Sequence, residues 1–128
     1  MTQFASDTGW GRLARLVADQ VPVAEVDRVW CFPVMRQGPR EFGTAVIARA
    51  EGEHAERRRI YTARYMLQVK GKERGRFEAD VQEVGSGLLE NLPALLDDAH
   101  RRTDDDEPPV EVEAAEWFTS VTDDATVG

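Results

Sequence analysis

The sequence predicts a two-layer α+β domain in the order α-β-β-β-β-α. A four-stranded antiparallel meander is flanked by N- and C-terminal helices that share one face. Three observations predict it. Apolar residues recur at helical spacing from Trp10 to Val17 and again from Leu88 to Ala99. Between them the apolar period falls to two, as strands require. The polar connections RQGPRE, EGEHAE and KGKERG are short, which favours pairing of neighbouring strands.

Asp7 or Thr8 is placed to cap a helix that starts near Gly9 and buries Trp10, Leu13, Leu16 and Val17, with Arg12, Arg15 and Asp19 facing away. Pro22 disfavours helical geometry at Val21 and ends it. VDRVWCFPVM, from Val26, reads as the first strand; Pro33 removes a ladder donor and marks an edge or a bulge. EFGTAVIARA is the second strand. The third runs from about Arg58 to Val69 and the fourth from Arg76 to Val84. Tyr61, Ala63, Tyr65, Leu67 and Val69 share one side of the third strand, and Phe77, Ala79 and Val81 one side of the fourth. In the second helix Pro93 either lies in a first turn that begins near Asn91 or kinks the helix.

Residues 1–102 form the expected domain. TDDDEPP opens an acidic tail, 103–128, whose last ten residues are expected to be disordered. Within it VEVEAAEWF is suited to fold back as a short strand or helix, anchored by Trp117 and Phe118. The element order superficially resembles that of the double-stranded-RNA-binding domain. The extra strand, and a second helix opening on Gly-Leu-Leu-Glu instead of a lysine cluster, leave no family assigned.

With 128 residues the chain is sized for one domain. No apolar run reaches membrane-spanning length, and the longest, near Ala45 to Ala48, is strand-sized. The start MTQFASDTGW lacks the pattern of a secretory signal, and a lone cysteine excludes an internal disulfide. These features place the protein in a reducing, bacterial-type cytoplasm, away from membranes. Its net charge of −8, with 14 Arg against 2 Lys, fits either a salt-adapted protein or an ordinary acidic one from a GC-rich genome.

Candidate chemistry is sparse. Cys31, between Trp30 and Phe32, is read as a core residue, because a strand interior supplies neither a base nor a helix N-terminus to activate a thiol. His54 lies among Glu51, Glu53 and Glu56, but one histidine at that spacing matches no metal motif. His100 suits the C-terminal turn of a helix. Asp104 to Asp106 lack the spacing of a calcium loop. Val84-Gly85-Ser86-Gly87-Leu88 resembles the start of a dinucleotide fingerprint; Glu90 stands at the third glycine position, and Gly87 with Glu90 reads instead as a helix start. No catalytic residue, metal ligand or cofactor is assigned.

The main anomaly is electrostatic. From Arg57 to Arg76 the chain carries Arg57, Arg58, Arg59, Arg64, Lys70, Lys72, Arg74 and Arg76 against one acid, Glu73, a local +7 that leaves −15 elsewhere. Three explanations stand: solvated strand ends, a receiver for an acidic partner or the chain's own tail, and a phosphate or nucleic-acid site with Tyr61 and Tyr65 as stacking residues. The global negative charge disfavours nucleic acid. Opposite the presumed core face, Ile60, Thr62, Met66 and Gln68 flank Arg64 on a partly apolar surface suited to dimerisation or partner capture. The expected function is therefore a non-enzymatic interaction or adaptor module, acting through that open face and the basic hairpin on a protein partner or a second copy. The alternative is a binder of a small anion or nucleic acid at the same hairpin.

Overall fold

The structure is a computed structural model that describes residues 4–5, 7–103, 107–119 and 121. In chain order it contains α1 (Gly9–Gln20), β1 (Val26–Cys31), β2 (Met35–Gln37), β3 (Arg40–Glu51), β4 (His54–Gln68), β5 (Phe77–Leu88), α2 (Leu92–Arg102), β6 (Val110–Val112) and α3 (Ala114–Trp117), with single 3-10 turns before β1 and α2. The α+β class and the antiparallel sheet agree with the sequence reading. The strand count does not: the described residues form six strands, ordered β5-β4-β3-β1-β6, with β2 paired to β3.

Each extra strand has a local cause. Pro33 splits the stretch read as one strand, so that Val26–Cys31 pairs with the far half of β3 and Met35–Gln37 with its beginning. After Pro108-Pro109, Val110–Val112 pairs antiparallel with Cys31–Val29 and closes the other side of β1. The meander of β3, β4 and β5 sets Gly43 opposite Tyr65 opposite Ala79, with two irregularities, at Ala50/Glu51 between β3 and β4 and at Ile60/Tyr61 between β4 and β5.

The helices lie on opposite faces of the sheet, which corrects the expectation of one shared face. α1 places Trp10, Leu13, Ala14 and Val17 on Ala45, Ile47, Ala63 and Tyr65, together with Phe4, Trp117 and Phe118. On the reverse face, Leu92 and Ala99 of α2 pack on Trp30, Phe32, Val46, Ala48 and Ile60. The reason is visible in β3, where Ala45, Val46, Ile47 and Ala48 are all buried. Consecutive residues point to opposite faces, so a run of four apolar residues needs cover on both. Each large side chain so enclosed contributes about 1.5–3 kcal/mol.

Thr8 caps α1, its Oγ1 accepting from the Gly11 amide at 3.0 Å. The GSG segment belongs to β5 and does not start a helix. Its lack of side chains lets Leu95 settle on the strand, since a Cβ at Gly87 would stand 3.3 Å from Leu95 Cδ1. The helix begins at Leu92 with Pro93 in its first turn. Beyond Pro109, Trp117 (0% exposed) and Phe118 (1%) sit in the α1-side core, so this part of the expected tail is built into the domain. The expectation for Asp104–Asp106, and that of disorder at residues 120 and 122–128, fall outside the described residues; of the last ten residues Thr119 and Val121 are placed, the Val121 amide donating to Phe118 O at 3.0 Å. No described helix is long and apolar enough to cross a membrane.

Candidate functional site

The β4–β5 hairpin divides into a base, a middle and a tip. At the base, Arg57 Nε donates to Glu51 at 3.3 Å, and Arg58 Nε to Asp27 at 3.0 Å. Arg59 donates to both Glu51 and Glu83 at 3.1 Å. The Arg59 hydrogen bond, followed by that from Arg57, holds the Glu51 carboxyl below its ordinary range, and Glu51 raises Arg59 in return. Arg49, cross-strand from Arg59, donates to the Tyr61 hydroxyl at 2.8 Å and to Glu25 at 2.6 Å. These bonds, that from Tyr61 first, raise the Arg49 pKa. The three consecutive arginines are thus occupied within their own domain.

In the middle, Arg64 crosses the α2 face and donates to the Arg102 carbonyl at 2.8 Å, satisfying an orphan acceptor at the end of α2. On the other face Tyr65 (3% exposed) fills space left by Gly9 and Gly43; a Cβ at either glycine would overlap its ring. Its hydroxyl donates to Glu41 at 2.8 Å, and burial, reinforced by that bond, pushes its pKa up. Trp10 meets the ring edge-on at 5.3 Å and Phe77 stacks on it at 5.9 Å. Tyr65 is therefore core and is not exposed for base stacking.

The surface expected to be open is mostly closed. Ile60 (0%) and Thr62 (5%) are buried on the face that α2 covers, because α2 crosses that side of the sheet. Gln68 (8%) is buried where the β4–β5 turn closes back on the strand, its backbone pairing with Gly75 and Arg76. Of the four expected interface residues only Met66 reaches an open hollow, of about 280 Å³, which it shares with Phe42, Arg64, Glu78 and Asp80.

The tip is different. Arg76 is engaged, with Glu78 at 3.2 Å and Glu73 at 3.4 Å, and Glu78 is the main cause of its raised pKa. Lys70, Lys72 and Arg74 are exposed and their side chains have no hydrogen-bond or ion-pair partner among the described residues. Gly71 (φ 84) and Gly75 (φ 96) bracket Lys72 and Arg74, and Lys70 lies just before Gly71; both glycines take left-handed conformations that a side chain would resist. Arg40 joins them, since the Val69 amide donates to Pro39 O at 2.8 Å and ties the neighbouring turn alongside. Of the eight cations singled out by sequence, five are therefore held internally and three are concentrated at one turn. Arg40, the fourth member of the exposed group, was missed because it is remote in sequence; the turn chemistry at Gly38-Pro39 was its only signal.

The Cys31 thiol is not activated as a nucleophile. Burial pushes the Cys31 thiol up to about 12; the adjacent Trp117 indole moderates this and Glu116 adds to it. That indole N–H meets no acceptor in hydrogen-bond geometry, so its influence on the sulfur is weak. His54 is exposed, with Nδ1 3.6 Å from Glu56. Among the described residues no three His, Cys, Asp or Glu side chains are grouped to hold a metal ion. His100 meets Phe32 edge-on at 5.5 Å, its Nε2 is buried without a partner, and burial lowers its pKa against the opposing influence of Asp97.

No protein family, curated protein or solved structure matches this chain.

Proposed function

We infer that the protein is a non-enzymatic interaction module whose binding element is the tip of the β4–β5 hairpin. It engages an acidic partner surface through Lys70, Lys72 and Arg74, with Arg40 beside them. One observation carries this reading: the domain neutralises the arginines at the hairpin base and leaves the tip cations without partners. Unpaired, solvated charges at a protruding turn steer an oppositely charged surface without first breaking internal ion pairs. The proton affinities of Cys31 and Tyr65 favour their neutral forms, which supports binding over nucleophilic chemistry. The burial of Tyr65 removes one of the two stacking residues that a nucleic-acid site would use, which favours a protein partner.

Retention on immobilised poly-glutamate, eluted with salt, tests the reading. The wild-type chain is retained, and the K70E/K72E/R74E variant loses retention while Arg58→Gln keeps it. Equal elution of all three overturns the assignment to the tip. Retention on heparin but not on poly-glutamate would favour the small-anion or nucleic-acid alternative.

A further inference from the structure

β5 leaves one side of the sheet open. It is 12 residues long, and among the described residues no strand lies on its outer side. Alternate backbone N–H and C=O groups along such an edge point outward and form a template for another strand. Protected edges are short or carry lysine or proline; FEADVQEVGSGL has neither residue, and only its acids and one irregularity blunt it.

The two ends of this edge are chemically opposite. Beyond its start lie Lys72 and Arg74. At its end Leu88 (36% exposed) and Leu89 (39%) form an apolar hollow of about 410 Å³ that Glu56 and Glu90 also line. Glu90 has no ion-pair partner among the described residues, and Glu56 has only His54 at 3.6 Å. An apolar floor with carboxylates beside it fits a lysine or arginine, whose aliphatic stem packs while its head is paired.

Antiparallel association of two identical strands turns one copy end for end against the other, and so brings each cationic tip to the other's acidic hollow. We propose that the partner is a second copy of this chain, paired antiparallel along β5, with Lys72 and Arg74 of each copy seated at the Leu88–Leu89 hollow of the other. The proposal rests on the reading of the tip as the binding element. The register follows from the strand. Paired residues must share a face, so in the regular stretch before the irregularity the two-fold axis passes through a residue such as Asp80 or Val81. An axis at Asp80 opposes two aspartates, whereas one at Val81 sets Asp80 against Gln82 and Ala79 against Glu83. In either register the turn that carries Lys72 and Arg74 lies toward the end of the partner's β5, where Leu88, Leu89 and Glu90 follow.

Sedimentation equilibrium of the full chain tests this. The wild type gives twice the 14.4 kDa chain mass, and its dissociation constant rises with salt. K72E/R74E and E56K/E90K each raise that constant at least about tenfold through like-charge opposition, yet an equimolar mixture of the two forms a heterodimer. Circular dichroism confirms that both variants are folded. A wild-type chain that remains monomeric at about 1 mM overturns the proposal, as does a dimer insensitive to both charge reversals. If the monomeric chain is still held by poly-glutamate through its tip, the function proposed above stands and only the identity of the partner fails.

Discussion

At the base of the β4–β5 hairpin three consecutive arginines hold Asp27, Glu51 and Glu83; at its tip Lys70, Lys72 and Arg74 hold nothing among the described residues. The two clusters belong to the same hairpin and are equal in size. What differs is the neighbouring chain. At the base, the end of β3 and the start of β1 bring carboxylates alongside, and the middle of β5 adds Glu83. At the tip, the start of β3 lies alongside and presents Arg40. The lesson is that a cation's availability is set by its cross-strand neighbours and not by how many cations surround it.

The comparison is broken most severely from the middle of the hairpin, where base and tip share one support. Gly43→Ala drives a Cβ into the Tyr65 ring, which Gly9 blocks from yielding, and costs about 3 kcal/mol in urea unfolding, at the upper end of overpacking effects. A variant as stable as wild type would show that the ring is not confined.

Arg49→Met probes the base. It strips the Tyr61 hydroxyl and Glu25 of a shared donor and should cost about 1–2 kcal/mol. A neutral result would make the ion pairs at the base incidental and erase the distinction from the tip.

Smaller still is the effect of His100, next to the α2 terminus that anchors Arg64. Burial holds its folded pKa below the value of 6.5, so the unfolded chain binds the proton more readily. Its contribution is fully present above about pH 6.5 and is lost as pH falls from there through the lowered folded value. His100→Gln should flatten the urea midpoint between about pH 7 and 5.5. An unchanged slope would remove His100 as the cause.

The smallest effect sharpens the contrast. At a concentration where the wild-type chain is monomeric, K70E/K72E/R74E should leave the melting midpoint within about 2 °C, since its side chains touch nothing that the monomer fold needs. A large drop would mean that the tip cations have a structural role, as those at the base do.

Much of the fold is legible in particular residues. Thr8 with the Trp10–Val17 stripe marks α1, the alternation from Tyr61 to Leu67 marks the α1-side face of β4, and Trp117 with Phe118 anchors the end of the described chain. The two-sided cover of the sheet was also written in Ala45–Ala48, because an uninterrupted apolar run in a strand needs partners on both faces. The expectation of one covered face followed from β4, where Thr62, Arg64 and Gln68 look polar although Thr62 and Gln68 are buried. The tip was legible as charge but not as vacancy. Which arginines are satisfied depends on pairings such as that of Arg58 with Asp27, 31 residues apart, that no local pattern encodes.

The packing of Trp117 and Phe118 beside Phe4 and Trp10 has a consequence for biosynthesis. The apolar stripe of α1 emerges from the ribosome first, yet part of its cover is synthesised about a hundred residues later. Until then α1 has an incomplete core, and β1 lacks its outer neighbour β6. Such long-range closure slows folding and extends the interval in which apolar surface is exposed. Native structure on a translating ribosome should therefore be acquired late and abruptly, once residue 118 has cleared the exit tunnel.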